Sequence, residues 1–212
     1  MYFDGDKIIV FSPSKHIKMV KILAPFLFSM NLALCTTAQE VPRPDLRNQL
    51  KAVRTTSSIK IDGSLNEPAW SIPDSASSFI QVEPVQGNSA KFSTVVKVLY
   101  DENSLYIGAI CYDSLGKKGI RVTELYRDFS LFKNDVFSFC IDAFKDERNN
   151  MTFAANPLGT QYDYLSFDAL LTDADWNGLW KVRTSIRDYG WIAEFEIPWK
   201  TLRYKGNDTT QT

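Results

Sequence analysis

Residues 94–112 read TVVKVLYDENSLYIGAICY. Two runs of β-branched and aromatic residues, Thr94 to Tyr100 and Ser104 to Tyr112, flank Asp101-Glu102-Asn103, a polar connection of hairpin length. The stretch predicts two antiparallel strands. In the second, a period of two puts Leu105, Ile107, Ala109 and Cys111 on one face and Tyr106, Gly108, Ile110 and Tyr112 on the other. Both faces are largely apolar, which predicts a central strand.

The same alternation recurs downstream. Phe137, Phe139 and Ile141 alternate with Val136, Ser138 and Cys140 within Asp135 to Asp142, and Met151 to Ala155 follows a charged turn, Lys145 to Asn150, giving a second hairpin. Trp180, Val182, Thr184 and Ile186 alternate with Lys181, Arg183, Ser185 and Arg187 before Asp188-Tyr189-Gly190 turns the chain into Trp191 to Ile197. There Trp191, Ala193, Phe195 and Ile197 form the inward set. Glu194 and Glu196 face outward, where they are expected to pair with Arg183 or Lys181 for roughly 0.2–1 kcal/mol each. Helix is scarce, with a single turn expected over Asn66 to Ile72 beginning at Pro68. The fold class read from these patterns is all-β: an antiparallel β-sandwich of immunoglobulin or jelly-roll type, with little helix.

At the front, Lys15, Lys18 and Lys21 precede the apolar run Ile22 to Leu34, too short to span a bilayer and read as a secretory signal. Thr36-Thr37-Ala38 places cleavage before Gln39, and Met19 is the expected start, with Met1 to Lys18 a spurious extension. Leu32-Ala33-Leu34-Cys35 competes as a lipobox, though Leu34 is bulky where a small residue is wanted. Removing residues 1–38 leaves 20 basic against 23 acidic residues, a balance that argues against nucleic acid as a partner. His16, the one histidine, leaves too, which excludes a Ser-His-Asp triad, a Cys-His pair or a His-ligated zinc in the mature chain. Cys111 and Cys140 read as buried thiols, a disulfide being the competing reading. Residues 39–57, polar and carrying Pro42 and Pro44, read as a linker, and residues 58–212 as the domain.

Four motifs, in order, resemble the family 9 carbohydrate-binding modules: Ile61-Asp62-Gly63-Ser64-Leu65-Asn66-Glu67-Pro68-Ala69-Trp70, then Val98 to Gly108, then Asp135 to Asp142, then Gly190-Trp191-Ile192-Ala193-Glu194. The resemblance runs from about Ile59 to Leu202 and implies a β-sandwich that grips a sugar between aromatic rings. It also shows departures. The family's tryptophan falls at Phe132, its glutamate at Ser138 and its arginine at Ala154. Tyr126-Arg127-Asp128 and Asn156-Pro157-Leu158-Gly159 look more like a subgroup at the front of large bacterial outer-membrane proteins, ahead of a β-barrel. Such chains continue into a further strand opening with Trp-Gly, so this sequence is expected to be truncated.

Sugar sites stack aromatic faces on pyranose C–H faces, with planar polar partners at the hydroxyls. Trp70, Trp180 and Trp191 read as core. Trp176, Phe132, Tyr126 and Arg127, in loop-like stretches, are the ligand-binding candidates. Asp173, Asp175 and Asn177 match the first half of a calcium loop, whose second half fails at Lys181 and Thr184. Asp128, Asp135, Asp142, Asp146 and Asp163 read as solvated turn carboxylates, and no spacing singles out a hydrolytic pair. The expected function is a glycan-binding module of an exported protein: periplasmic, outer-membrane-associated or secreted. Its expected partner is a catalytic domain or a C-terminal β-barrel, with any O-glycosyl hydrolysis residing there. A non-binding periplasmic cap and a hydrolase are the alternatives.

Overall fold

The computed structural model describes residues 2–4, 7–9, 49–144, 146, 148–168 and 171–202. The strands in chain order are β1 (Tyr2–Asp4), β2 (Lys7–Ile9), β3 (Gln49–Leu50), β4 (Val53–Arg54), β5 (Thr94–Tyr100), β6 (Ser104–Tyr112), β7 (Phe137–Ile141), β8 (Asn150–Ala155), β9 (Gln161–Phe167), β10 (Leu171–Asp173), β11 (Lys181–Arg187) and β12 (Gly190–Pro198). Helical residues among those described are confined to short 3-10 turns, one of them Pro68–Ser71, as Pro68 predicts. β1, β2 and β3 make a small sheet. The sandwich is built from a five-stranded sheet, β11-β12-β6-β5-β4, and a four-stranded sheet, β10-β9-β8-β7.

All three expected hairpins form, as β5 with β6, β7 with β8 and β11 with β12. β12 then pairs with β6 from Gly190↔Tyr112 to Pro198↔Ser104, which makes β6 the central strand its two apolar faces predict. Two of the strands that go beyond the sequence reading bear on the core of the sandwich. β9 is one, because its inward position is held by an aspartate that breaks the apolar alternation. The other is β4, which pairs in parallel with β5 and follows the buried Leu50 and Ala52. The sandwich therefore starts inside the expected linker, whose residues 39–48 lie outside the described set with residues 10–38 of the expected leader, His16 and Cys35 among them.

Aromatic rings dominate the space between the sheets. Phe139 meets Phe195 edge-on at 5.1 Å between centroids, and Trp180 stacks on Phe195 at 5.7 Å and meets Phe153 at 5.5 Å. Such pairs add roughly 0.5–1.5 kcal/mol each beyond their buried area. Trp180 and Trp191 are core residues, as expected. Cys111 and Cys140 are thiols, not a disulfide, and burial pushes the Cys111 thiol up to about 12.

Trp70 is also core, but on the outer face of the five-stranded sheet rather than between the sheets. With Ala69, Leu99 and Tyr106 it forms a second cluster, against which Ile59, Ile61 and Leu65 pack. Register sets Lys97, Gly108, Glu194 and Arg183 in one row across that face. Gly108 makes room for the cluster, since a Cβ there would lie 2.7 Å from Leu65.

Glu194, expected to be solvated, is fully buried. Its alternation is as read, but the opening motif folds over it. Its Oε2 accepts the backbone N–H groups of Asp62 at 2.9 Å and Gly63 at 3.0 Å, and its Oε1 the indole N–H of Trp70 at 3.3 Å. Gly63 has φ of +83°, and a Cβ would lie 2.8 Å from the Thr184 backbone, so both conformation and space require glycine. Arg183, opposite, donates instead to the Val182 carbonyl, while the expected Lys181–Glu196 pair forms at 2.8 Å.

Burial, opposed by these N–H donors and reinforced by Glu67, pushes the Glu194 carboxyl up from 4.5 to about 7. The folded state thus keeps a proton that the unfolded chain gives up. We expect the urea midpoint, followed by tryptophan fluorescence, to be highest below about pH 4.5 and to fall as pH rises towards 7. Glu194→Gln should flatten that fall; an unchanged slope would rule Glu194 out as its source. Gly108→Ala should cost about 1–3 kcal/mol by displacing Leu65 and Trp70, measurable in the same titration.

Candidate functional site

The segment between Arg121 and Asn134 is a long loop that its own side chains hold in shape. Buried Asn134 accepts the N–H of Thr123 at 2.7 Å through Oδ1 and donates to the Ser130 carbonyl at 2.8 Å. Glu124 accepts from the Ser130 N–H, which holds its carboxyl below the usual range. The Asn156 amide donates to the Glu124 carbonyl at 2.9 Å, tying in the turn Asn156 to Gly159.

This loop lies over the outer face of the four-stranded sheet. Ser138, Ala154 and Tyr162 are register neighbours on that face, backing onto Phe139, Phe153 and Asp163 on the core side. The Asp128 N–H donates to the Gln161 carbonyl at 3.0 Å, and buried Phe129 meets Tyr162 edge-on at 6.0 Å. Ser138 and Ala154 are buried as a result.

Arg127 clamps the loop to the neighbouring Trp176 to Trp180 segment. Its guanidinium donates to Asn177 Oδ1 at 2.6 Å, to Gln161 Oε1 at 2.6 Å and to Asp163 Oδ1. Asp163, read as a turn carboxylate, sits instead on β9, fully buried. Its Oδ2 accepts the N–H of Gly178 at 2.6 Å and the indole N–H of Trp180 at 3.2 Å. Gln161 completes the ring by donating to the Trp180 carbonyl at 3.0 Å. Both Asp163 oxygens are engaged, so it positions its neighbours. Gly178 is needed for fit, as a Cβ would lie 2.9 Å from the Trp176 ring. No motif marks Asp163, Gln161 or Phe129 as partners. The one available signal is that aspartate in an otherwise strand-like run, QYDYLSF.

Of the expected ligand residues, Tyr126 is 61% exposed and Phe132 57%, both on the 121–134 loop. Arg127 is half-buried in its clamp, and Trp176 is half-buried, its ring edge-on to core Phe153 at 5.8 Å. Asp128 is held in a left-handed conformation, φ +62°. Burial of its carboxyl raises its pKa, Arg127 opposes that rise, and the negative charges of Asp163 and Asp175 add to it. Asp173 and Asp175 are exposed, and the Asn177 oxygen faces Arg127. Among the described residues no group of three or more His, Cys, Asp or Glu is arranged to hold a metal. Beside the clamp runs an open cleft of about 820 Å³, lined by Arg127, Gln161, Leu179, Lys181, Glu196 and Trp199 among others.

Against known proteins, residues 61–211 match the family described as carbohydrate family 9 binding domain-like. No curated protein matches. One similar solved structure is a family 9 carbohydrate-binding module from Caldicellulosiruptor kristjanssonii in complex with cellotriose, at 18% identity and a TM-score of 0.49, covering 69% of this chain and 66% of that one. Another is a family 9 module from the same organism in complex with glucose, at 15% identity and a TM-score of 0.46, covering 70% and 69%. The family match takes in the opening motif that caps Glu194, every strand of the two sandwich sheets but β4, and the Arg127 clamp, and on that extent the chain belongs to the carbohydrate family 9 binding domain-like family.

Proposed function

We propose that this domain binds a glycan as a module of an exported protein concerned with carbohydrate breakdown, and that it does so where the 121–134 and 176–180 loops meet. The Arg127 clamp carries the reading. It spends three strong, charge-assisted or polar contacts on holding two loops rigid, and the rings left outside are Tyr126 and Phe132. A binding face made of large rings on loops that do not have to order themselves loses little entropy on binding. Trp176, rooted in the core, supports the second loop, and Arg127 is the planar polar group beside the rings. Any hydrolysis of O-glycosyl bonds belongs to a fused or partner domain.

A second reading, a periplasmic cap of an outer-membrane β-barrel that binds no sugar, draws on one observation. Ser138 and Ala154, where the family's glutamate and arginine fall, lie buried in the sheet region that Phe129 covers. Sugar hydroxyls therefore find no polar pair there.

Affinity gel electrophoresis against a polysaccharide panel separates the readings. We expect retention by at least one glycan, weakened by about tenfold in Tyr126→Ala/Phe132→Ala with the circular dichroism spectrum unchanged. A folded chain retained by none supports the cap. Asp163→Asn should leave the strands intact but loosen the clamp, lowering stability by about 2–4 kcal/mol because Arg127 is left without its buried partner. The calcium reading of Asp173, Asp175 and Asn177 is supported by a melting temperature that rises with calcium and falls back with chelator, and is dropped if neither moves it.

A further inference from the structure

Two tyrosines at the far end of the five-stranded sheet are not used by the clamp or by either core. Tyr112 ends β6 and Tyr189 sits in the turn between β11 and β12. Their rings lie 5.6 Å apart between centroids at 41°, and the residues are 40% and 45% exposed. Rings of this size left half in water forgo burial that a covering ligand would restore.

The backbone beneath them is tightly built. The Asp113 N–H donates to the Tyr189 carbonyl at 3.0 Å, and the Asp113 carboxylate accepts the Leu115 N–H at 2.7 Å. Gly116, at φ +54°, packs so close that a Cβ would lie 2.0 Å from the Asp188 carbonyl oxygen. Two turns are thus locked together, and Lys117 and Asp188 cross them as an ion pair at 2.9 Å. Leu115, also exposed, extends the apolar surface.

We propose that Tyr112 and Tyr189 form a second carbohydrate contact, a bent two-ring platform for an uncharged saccharide chain. This inference rests on the glycan-binding reading above. Pyranose C–H faces match the ring faces, while the phenol hydroxyls and the Lys117–Asp188 pair offer donors and acceptors to sugar hydroxyls. Because Lys117 and Asp188 neutralise one another, the platform does not select a polyanion. The six steps along β11 from Lys181, which lines the cleft with Arg127, to Arg187 span about 20 Å, which sets the scale of the separation in the strand direction. A polysaccharide long enough to reach both contacts gains avidity that a trisaccharide does not.

The test is isothermal titration of the full chain with cellotriose and with hydroxyethylcellulose, using Tyr112→Ala/Tyr189→Ala, Tyr112→Phe/Tyr189→Phe and Tyr126→Ala/Phe132→Ala. The tyrosine-to-alanine variant should weaken polysaccharide binding about fivefold or more, with melting temperature unchanged and cellotriose affected less. The phenylalanine variant should keep most of the affinity, since stacking needs the ring. Polysaccharide affinity that survives loss of both tyrosines, yet falls with Tyr126 and Phe132, overturns the platform and leaves the module reading intact. Equal loss in the phenylalanine and alanine variants overturns stacking as its basis. If neither glycan binds the unaltered chain, and the polysaccharide panel fails as well, the module reading and the platform fall together.

Discussion

A carboxylate taken wholly out of water must find donors to replace its hydration, or the chain does not fold around it. This domain meets that demand on both sheets. Glu194 on β12 draws in the backbone of Asp62 and Gly63 and the indole of Trp70, more than 120 positions away in sequence. Asp163 on β9 draws in Arg127, Gly178 and Trp180. Each buried carboxyl group fixes a segment that would otherwise be an unstructured connection. The aromatic core holds the sheets together, whereas the two carboxylates decide where the long connections lie.

The consequences differ between the sheets. On the five-stranded sheet, the opening segment seals the outer face with Trp70, Leu65 and their neighbours, and Gly108 gives up a side chain to make space. That face is committed to stability. On the four-stranded sheet, the 121–134 loop seals the outer face with Phe129 and leaves Tyr126 and Phe132 in solvent. Rigidity and exposure meet on that loop. A similar combination recurs at Tyr112 and Tyr189, where two locked turns lift a pair of rings clear of the core.

The sequence by itself determined the β-sandwich, because hairpins such as Thr94 to Tyr112 carry their pairing in a period of two and a short polar turn, both local properties. It also determined the core roles of Trp180 and Trp191 and the single turn at Pro68. Only the tertiary structure decided the environment of charged and polar residues. Glu194 and Glu196 sit two apart on one strand face, yet the first is buried under a remote loop and the second stays at a rim beside Lys181. Asp163 looked like a turn residue because its partners, Arg127 and the Trp176 to Trp180 segment, approach from elsewhere in the chain. Local alternation says which way a side chain points. What meets it there depends on contacts between residues far apart in sequence, and no local pattern encodes those.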